Sequence, residues 1–85
     1  MNISIEMSLY PLDDNFLSII KDIVRRLNSA ENIVCKTNTM STQIFGECNI
    51  VMQLLNEIVQ YSFTTYGRQV FIVKILNGDV RPENG

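Results

Sequence analysis

The sequence predicts an α+β domain: a four-stranded antiparallel sheet with two helices on one face. Three observations carry that expectation. The hydrophobic period switches between 2 and 3.6 in the order strand, helix, strand, strand, helix, strand. Both helical segments are long enough to return the chain across a sheet. With 85 residues the chain is a single domain, 1–85, able to build one lean core that buries about 60–65% of the unfolded surface.

The elements follow in order. Ile3, Ile5, Met7 and Leu9 alternate with Ser4, Glu6, Ser8 and Tyr10, the mark of a strand with one buried face. Pro11 is expected to stop it, and Asp13-Asp14-Asn15 to supply a turn and a helix N-cap. Phe16, Ile19, Ile20, Ile23 and Leu27 then recur at helical spacing, with Lys21, Asp22, Arg25 and Arg26 opposite. Asn28-Ser29 ends this helix. The β-branched run from Ile33 predicts two short strands, about Ile33–Thr39 and Ser41–Glu47, reversing near Met40. Gly46 marks an unusual backbone angle or a close approach. A second helix spans about Asn49–Tyr66, with Val51, Leu54, Leu55, Ile58 and Ser62 on one stripe and Met52, Val59 and Phe63 on another. Gly67 suits its C-cap. Gln69–Leu76 forms the last strand, apolar on nearly both faces, and a polar tail runs from about 77 to 85.

Right-handed crossovers arrange this order as a ferredoxin-like βαββαβ sandwich. One sheet face lies under the helices and the other is bare. The first strand gives that bare face Ser4, Glu6, Ser8 and Tyr10. The last strand adds either Phe71, Val73 and Ile75 or Val70, Ile72 and Leu76, both sets being apolar. An apolar row on an open sheet face asks for a partner, so a homo-oligomer, dimer or tetramer, is expected.

Composition narrows the function classes. Seven basic against nine acidic side chains leave a net charge of −2, which does not suit a nucleic-acid binder. There is no histidine, hence no imidazole base and no Ser-His-Asp or Cys-His pair. Cys35 and Cys48 are too few for a structural zinc site and have no basic sequence neighbour to activate them; they read as small apolar fillers. Neither a signal peptide nor a membrane span is visible, so a cytoplasmic chain without membrane insertion is expected. No metal, cofactor or catalytic set is legible, and the expectation is a protein that is not an enzyme.

The densest polar cluster is Thr37-Asn38-Thr39-Met40-Ser41-Thr42-Gln43, four hydroxyls and two amides in seven residues. On a hairpin these converge on a small polar ligand, or simply form a solvated turn whose Thr residues favour strand geometry. The topology makes the first strand a neighbour of the third, bringing Ser8 and Tyr10 toward Thr42. Glu6 and Glu47 are the carboxylates expected to be partly buried, where each can face an aminopyrimidine or form a rim ion pair with Lys36, Lys74 or Arg68. Tyr10 and Phe45 can stack on a flat ring.

Ser8-Leu9-Tyr10-Pro11-Leu12, the hairpin run Thr37 to Gly46, and the long helix after it resemble the YkoF-like family of thiamine- and hydroxymethylpyrimidine-binding proteins, including its small one-domain members. The likeness spans roughly residues 3–76. It implies a ferredoxin-like fold, dimers or tetramers, and binding of thiamine or its pyrimidine precursor without catalysis, as carrier, buffer or uptake accessory. Its ligand positions fall on Ser8, Tyr10, Thr37, Thr39, Ser41 and Thr42. The competing expectation is a structural or regulatory oligomerisation module that binds another metabolite or none.

Overall fold

The computed structural model describes residues 1–81 as β1 (Asn2–Pro11), α1 (Phe16–Asn28), β2 (Ile33–Thr37), β3 (Thr42–Glu47), α2 (Cys48–Tyr66) and β4 (Gln69–Asn77). The sheet runs β2-β3-β1-β4 with every neighbour antiparallel, and both helices pack against the same face: the expected α+β sandwich. Ile5 pairs with Ile44 on one side and Ile75 on the other, which fixes Ile3, Ile5, Met7 and Leu9 on the helix face. Against them pack Ile23 and Leu27 of α1 and Val51 and Ile58 of α2, all buried. This register also decides the ambiguous last strand. Phe71, Val73 and Ile75 face the helices, and Val70, Ile72 and Leu76 face the open side.

Several boundaries differ from the sequence expectation for physical reasons. β1 ends at Pro11 as expected, but Pro11 is itself its last paired residue, opposite Gln69, and Leu12 N–H donates to the Arg68 carbonyl at 3.2 Å. β2 stops at Thr37 because Asn38 builds the turn: its Oδ1 accepts from the Met40 and Ser41 N–H groups at 2.8 and 2.9 Å. Asp13 makes a similar Asx turn to Asn15 N–H, while Asn15, the residue at the N-cap of α1, makes no side-chain cap. Gly46 is required by close approach, since a Cβ there would stand 3.1 Å from the Val51 Cγ2 and 3.2 Å from the Ile33 Cγ2. Gly67, at φ 82°, ends α2 as expected. The two thiols are free. No helix among the described residues is long and apolar enough to cross a membrane.

Two polar devices join elements. Ser62, buried in α2, donates to Gln69 Oε1 at 2.6 Å, and Gln69 Nε2 returns a bond to the Ser62 carbonyl at 2.7 Å. On the helices' outer side, Asp22 of α1 accepts from Tyr61 and Tyr66 hydroxyls of α2 at 2.7 and 2.5 Å. Arg25 and Arg26 complete its shell at 2.5 and 3.2 Å. The Tyr66 and Tyr61 hydroxyls, aided by the two arginines, hold the Asp22 carboxyl down at about 2 against the opposing effect of burial.

After β4 the chain turns at Gly78 (φ 114°) and crosses the open face. Ser4 Oγ fastens this strap, donating to the Gly78 carbonyl at 2.7 Å and accepting from Val80 N–H at 3.2 Å. Arg81 lies over the Phe45 ring, which is only 3% exposed although it faces the open side. Of the expected polar tail, Asn77 belongs to β4 and 78–81 to this strap, while 82–85 lie outside the described residues.

Candidate functional site

A cavity of about 400 Å³ opens where the end of β1, the β2–β3 hairpin and the start of α1 converge. Each wall has a local cause. β1 alternation turns Met7 and Leu9 inward, and the helical stripe of α1 presents Ile20, Ile23 and Val24. The Asn38 turn carries residues 38–41 along the remaining side. Tyr10, Phe16 and Met40 also line the cavity, and they are 53%, 53% and 83% exposed, so they stand at its mouth. The arrangement suits a flat ring: an apolar slot with two aromatic side chains and a methionine at the entrance.

The polar equipment centres on Thr37 and Thr42. They are cross-strand partners on the helix face, with hydroxyl oxygens 3.4 Å apart. Thr42 is buried, whereas Thr37 is exposed and accepts a long bond from Asn28 Nδ2 at 3.4 Å. Two hydroxyls carry two protons, and a bond between them uses one. Whichever threonine donates, the pair retains one proton to give and lone pairs to receive. That is the complement of an edge that presents an acceptor beside a donor. Nearby, burial pushes the Cys35 thiol up, with Thr37 opposing, so it remains a neutral thiol.

The other candidates divide into three groups. Ser8 and Tyr10 line the cavity but leave β1 on its open face; Ser8 Oγ donates to the Met40 carbonyl at 3.4 Å and so ties the hairpin to β1. Thr39 and Ser41 line the turn side. Ser41 Oγ donates across the strand to Glu6 Oε2 at 3.1 Å, and Glu6 Oε1 sits 3.4 Å from Lys74 Nζ. Glu6 thus stands behind the hairpin on the open face, outside the cavity's described lining. There it borders a second, shallower hollow of about 270 Å³ with Gln43, Phe45, Leu76 and Val80. Glu47 stands apart, five strand positions from Thr42 or about 16 Å along β3. It accepts from Asn49 N–H at 3.1 Å as the N-cap of α2, 3.9 Å from the chain's amino group.

The family profile for thiamine-binding proteins matches residues 5–84. The chain belongs to the thiamine-binding protein family. No curated protein matches it. Among solved structures it is similar to protein SP2199 from Streptococcus pneumoniae, with 22% identity, 94% of this chain and 90% of that one covered, and a TM-score of 0.84. It is also similar to a candidate thiamine biosynthesis/salvage protein from Thermotoga maritima (TM0486), with 15% identity, 92% and 85% covered, and a TM-score of 0.82. The hypothetical protein MJ1052 from Methanocaldococcus jannascii follows at 18% identity, 95% and 84% covered, and a TM-score of 0.77. At these identities the likeness is one of fold.

On this thiamine-binding family framework, sequence reasoning missed most of the apolar lining. Phe16 reads as a core residue because it continues the α1 stripe, yet the helix begins beyond the edge of the buried core and leaves it at the mouth. The available signal was the excess of large apolar residues between Tyr10 and Leu17, more than a turn with three polar residues needs.

Proposed function

We propose that the cavity between the hairpin and α1 binds thiamine or its hydroxymethylpyrimidine moiety without chemical change. The protein would serve as a cytoplasmic carrier, buffer or uptake accessory. The observation that carries this reading is the Thr37–Thr42 hydroxyl pair in a cavity of about 400 Å³ with an aromatic mouth. That volume falls in the range of small-molecule sites. An aminopyrimidine edge offers a ring-nitrogen acceptor beside an amino donor, the pattern the two hydroxyls complement. Each such group left unpaired in a buried site costs about 1–3 kcal/mol, enough for a few hydroxyls to discriminate. Family membership supports the same ligand class.

Calorimetric titration with thiamine and with the free pyrimidine tests the reading. Saturable heat at one site per chain supports it; no heat with either ligand at hundreds of micromolar rejects it. An enzymatic role is not part of the proposal, and incubation with each ligand followed by mass analysis should return it unaltered.

A homo-oligomer belongs to the same proposal. On the open face Val70, Ile72 and Leu76 of β4 are 44%, 50% and 47% exposed, and the strap covers Phe45 rather than this row. The same exposed row favours, as a second reading, an oligomerisation module for which the ligand is incidental. In that case Thr42→Val would leave both assembly and function unchanged.

A further inference from the structure

The charge distribution around the cavity carries a statement about which form of the ligand it takes. None of the fifteen described lining residues is charged. Residues 82–85, Pro-Glu-Asn-Gly, contain no lysine or arginine and bring no cation of their own. Cations near lining residues in sequence or register, among them Lys21, Lys36 and Lys74, stand outside that lining: Lys36 shares the open face with Gln43 and Glu6, and Lys74 Nζ stands 3.4 Å from Glu6 Oε1. Between the lining residues Pro11 and Phe16 runs the turn that holds Asp13 and Asp14, both exposed. Asp13 spends one oxygen on Asn15 N–H at 2.7 Å and keeps the other for solvent. The first turn of α1 holds no acidic residue and Asn15 makes no side-chain cap, so Asp13 and Asp14, just before it in sequence, are the negative charges set against its positive end.

We propose that the site selects an unphosphorylated ring over its phosphate esters, and a cationic ring over a neutral one. This rests on the ligand class proposed above. A phosphate group buried in an uncharged cavity would lose its hydration with no cation to replace it. Extended through the mouth instead, it would meet the carboxylates of Asp13 and Asp14. Two carboxylates near a dianion several ångströms away weaken binding roughly tenfold at low salt, an effect that fades as the Debye length shortens. The same pair attracts a thiazolium cation. The turn is therefore assigned as a specificity element: it acts on the charge of what enters and touches none of the ring-reading hydroxyls.

Titration of the intact protein with hydroxymethylpyrimidine, thiamine and thiamine monophosphate, at low and high salt, separates the possibilities. The expected order is thiamine first, the neutral pyrimidine next, and the monophosphate at least about tenfold weaker than thiamine, with the gap narrowing in high salt. In a combined Asp13→Asn, Asp14→Asn variant the gap between thiamine and its monophosphate should shrink several-fold while the neutral pyrimidine binds unchanged. Asparagine at 13 keeps the acceptor for Asn15 N–H, and an unchanged melting temperature verifies the turn. Equal or tighter binding of the monophosphate overturns this inference while leaving the ligand class intact. A selectivity that the double variant does not alter overturns the role given to the turn. Failure of all three ligands to bind overturns the underlying ligand reading itself.

Discussion

Thr42 is the position where fold and recognition meet most closely. It is buried on the helix face opposite Met7, and its hydroxyl oxygen stands 3.4 Å from that of Thr37. Thr42→Val keeps the shape and removes the hydroxyl. We expect affinity for the pyrimidine to fall about tenfold, or about 1.4 kcal/mol, with stability changed by less than about 1 kcal/mol; calorimetry and thermal unfolding check the two parts separately. Gly46→Ala should do the reverse. The Cβ would press on γ-methyls of Val51 and Ile33, β-branched side chains with little rotamer freedom, and cost about 1–2 kcal/mol in chemical unfolding. The hydroxyl-rich hairpin was legible in the sequence. Which hydroxyls face the cavity was not, because that depends on a register set by Asn38, whose side chain ends β2 two residues early.

Among the elements, the joint between α1 and α2 shows what a periodic pattern hides. Asp22 reads as part of the solvated face of α1, and Tyr61 and Tyr66 as unremarked positions on α2. Only the packing of the two helices makes them one cluster, with Arg26 stacked 3.7 Å over the Tyr61 ring. The cluster makes a pH prediction. Asp22 is held down at about 2, below its ordinary 3.8, first by the Tyr66 and Tyr61 hydroxyls. Its stabilising contribution is therefore complete above 3.8 and is lost as pH falls toward 2. Tyr66 runs the other way: its bond to Asp22, then burial, push it up to about 12 from 10. Its contribution is complete below 10 and lost as pH rises toward 12. Chemical unfolding from pH 2 to 5 should show a steeper loss of stability toward low pH in the native protein than in Asp22→Asn. The strands taught the same lesson more simply. β1 declared its faces because polar and apolar residues alternate, whereas β4 is apolar on both and waited for its pairing with Ser8 and Glu6 to be oriented.

At the scale of the whole molecule, a lean core and an open apolar row point in one direction. The order of elements and the helix-covered face followed from hydrophobic period alone, but the strap did not: nothing in Asn77-Gly78-Asp79 announces that Ser4 will capture Gly78 and Val80. Because the strap leaves Val70, Ile72 and Leu76 outside its cover, we expect an oligomer at micromolar concentration. Ile72→Glu should shift it toward monomer in light scattering without loss of helical signal. Ile72 pairs with Ser8 on the open face but is not among the described residues that line the cavity, so the same variant should still bind ligand if the cavity is complete within one chain.

The central claim is that the hairpin cavity reads an aminopyrimidine through the Thr37–Thr42 pair. Its most direct test is calorimetric titration of hydroxymethylpyrimidine into the native protein and into Thr42→Val, both verified as folded. Saturable binding at one site per chain, weakened about tenfold by the substitution, is the predicted result. No heat from the native protein, or equal affinity in the two proteins, would contradict it.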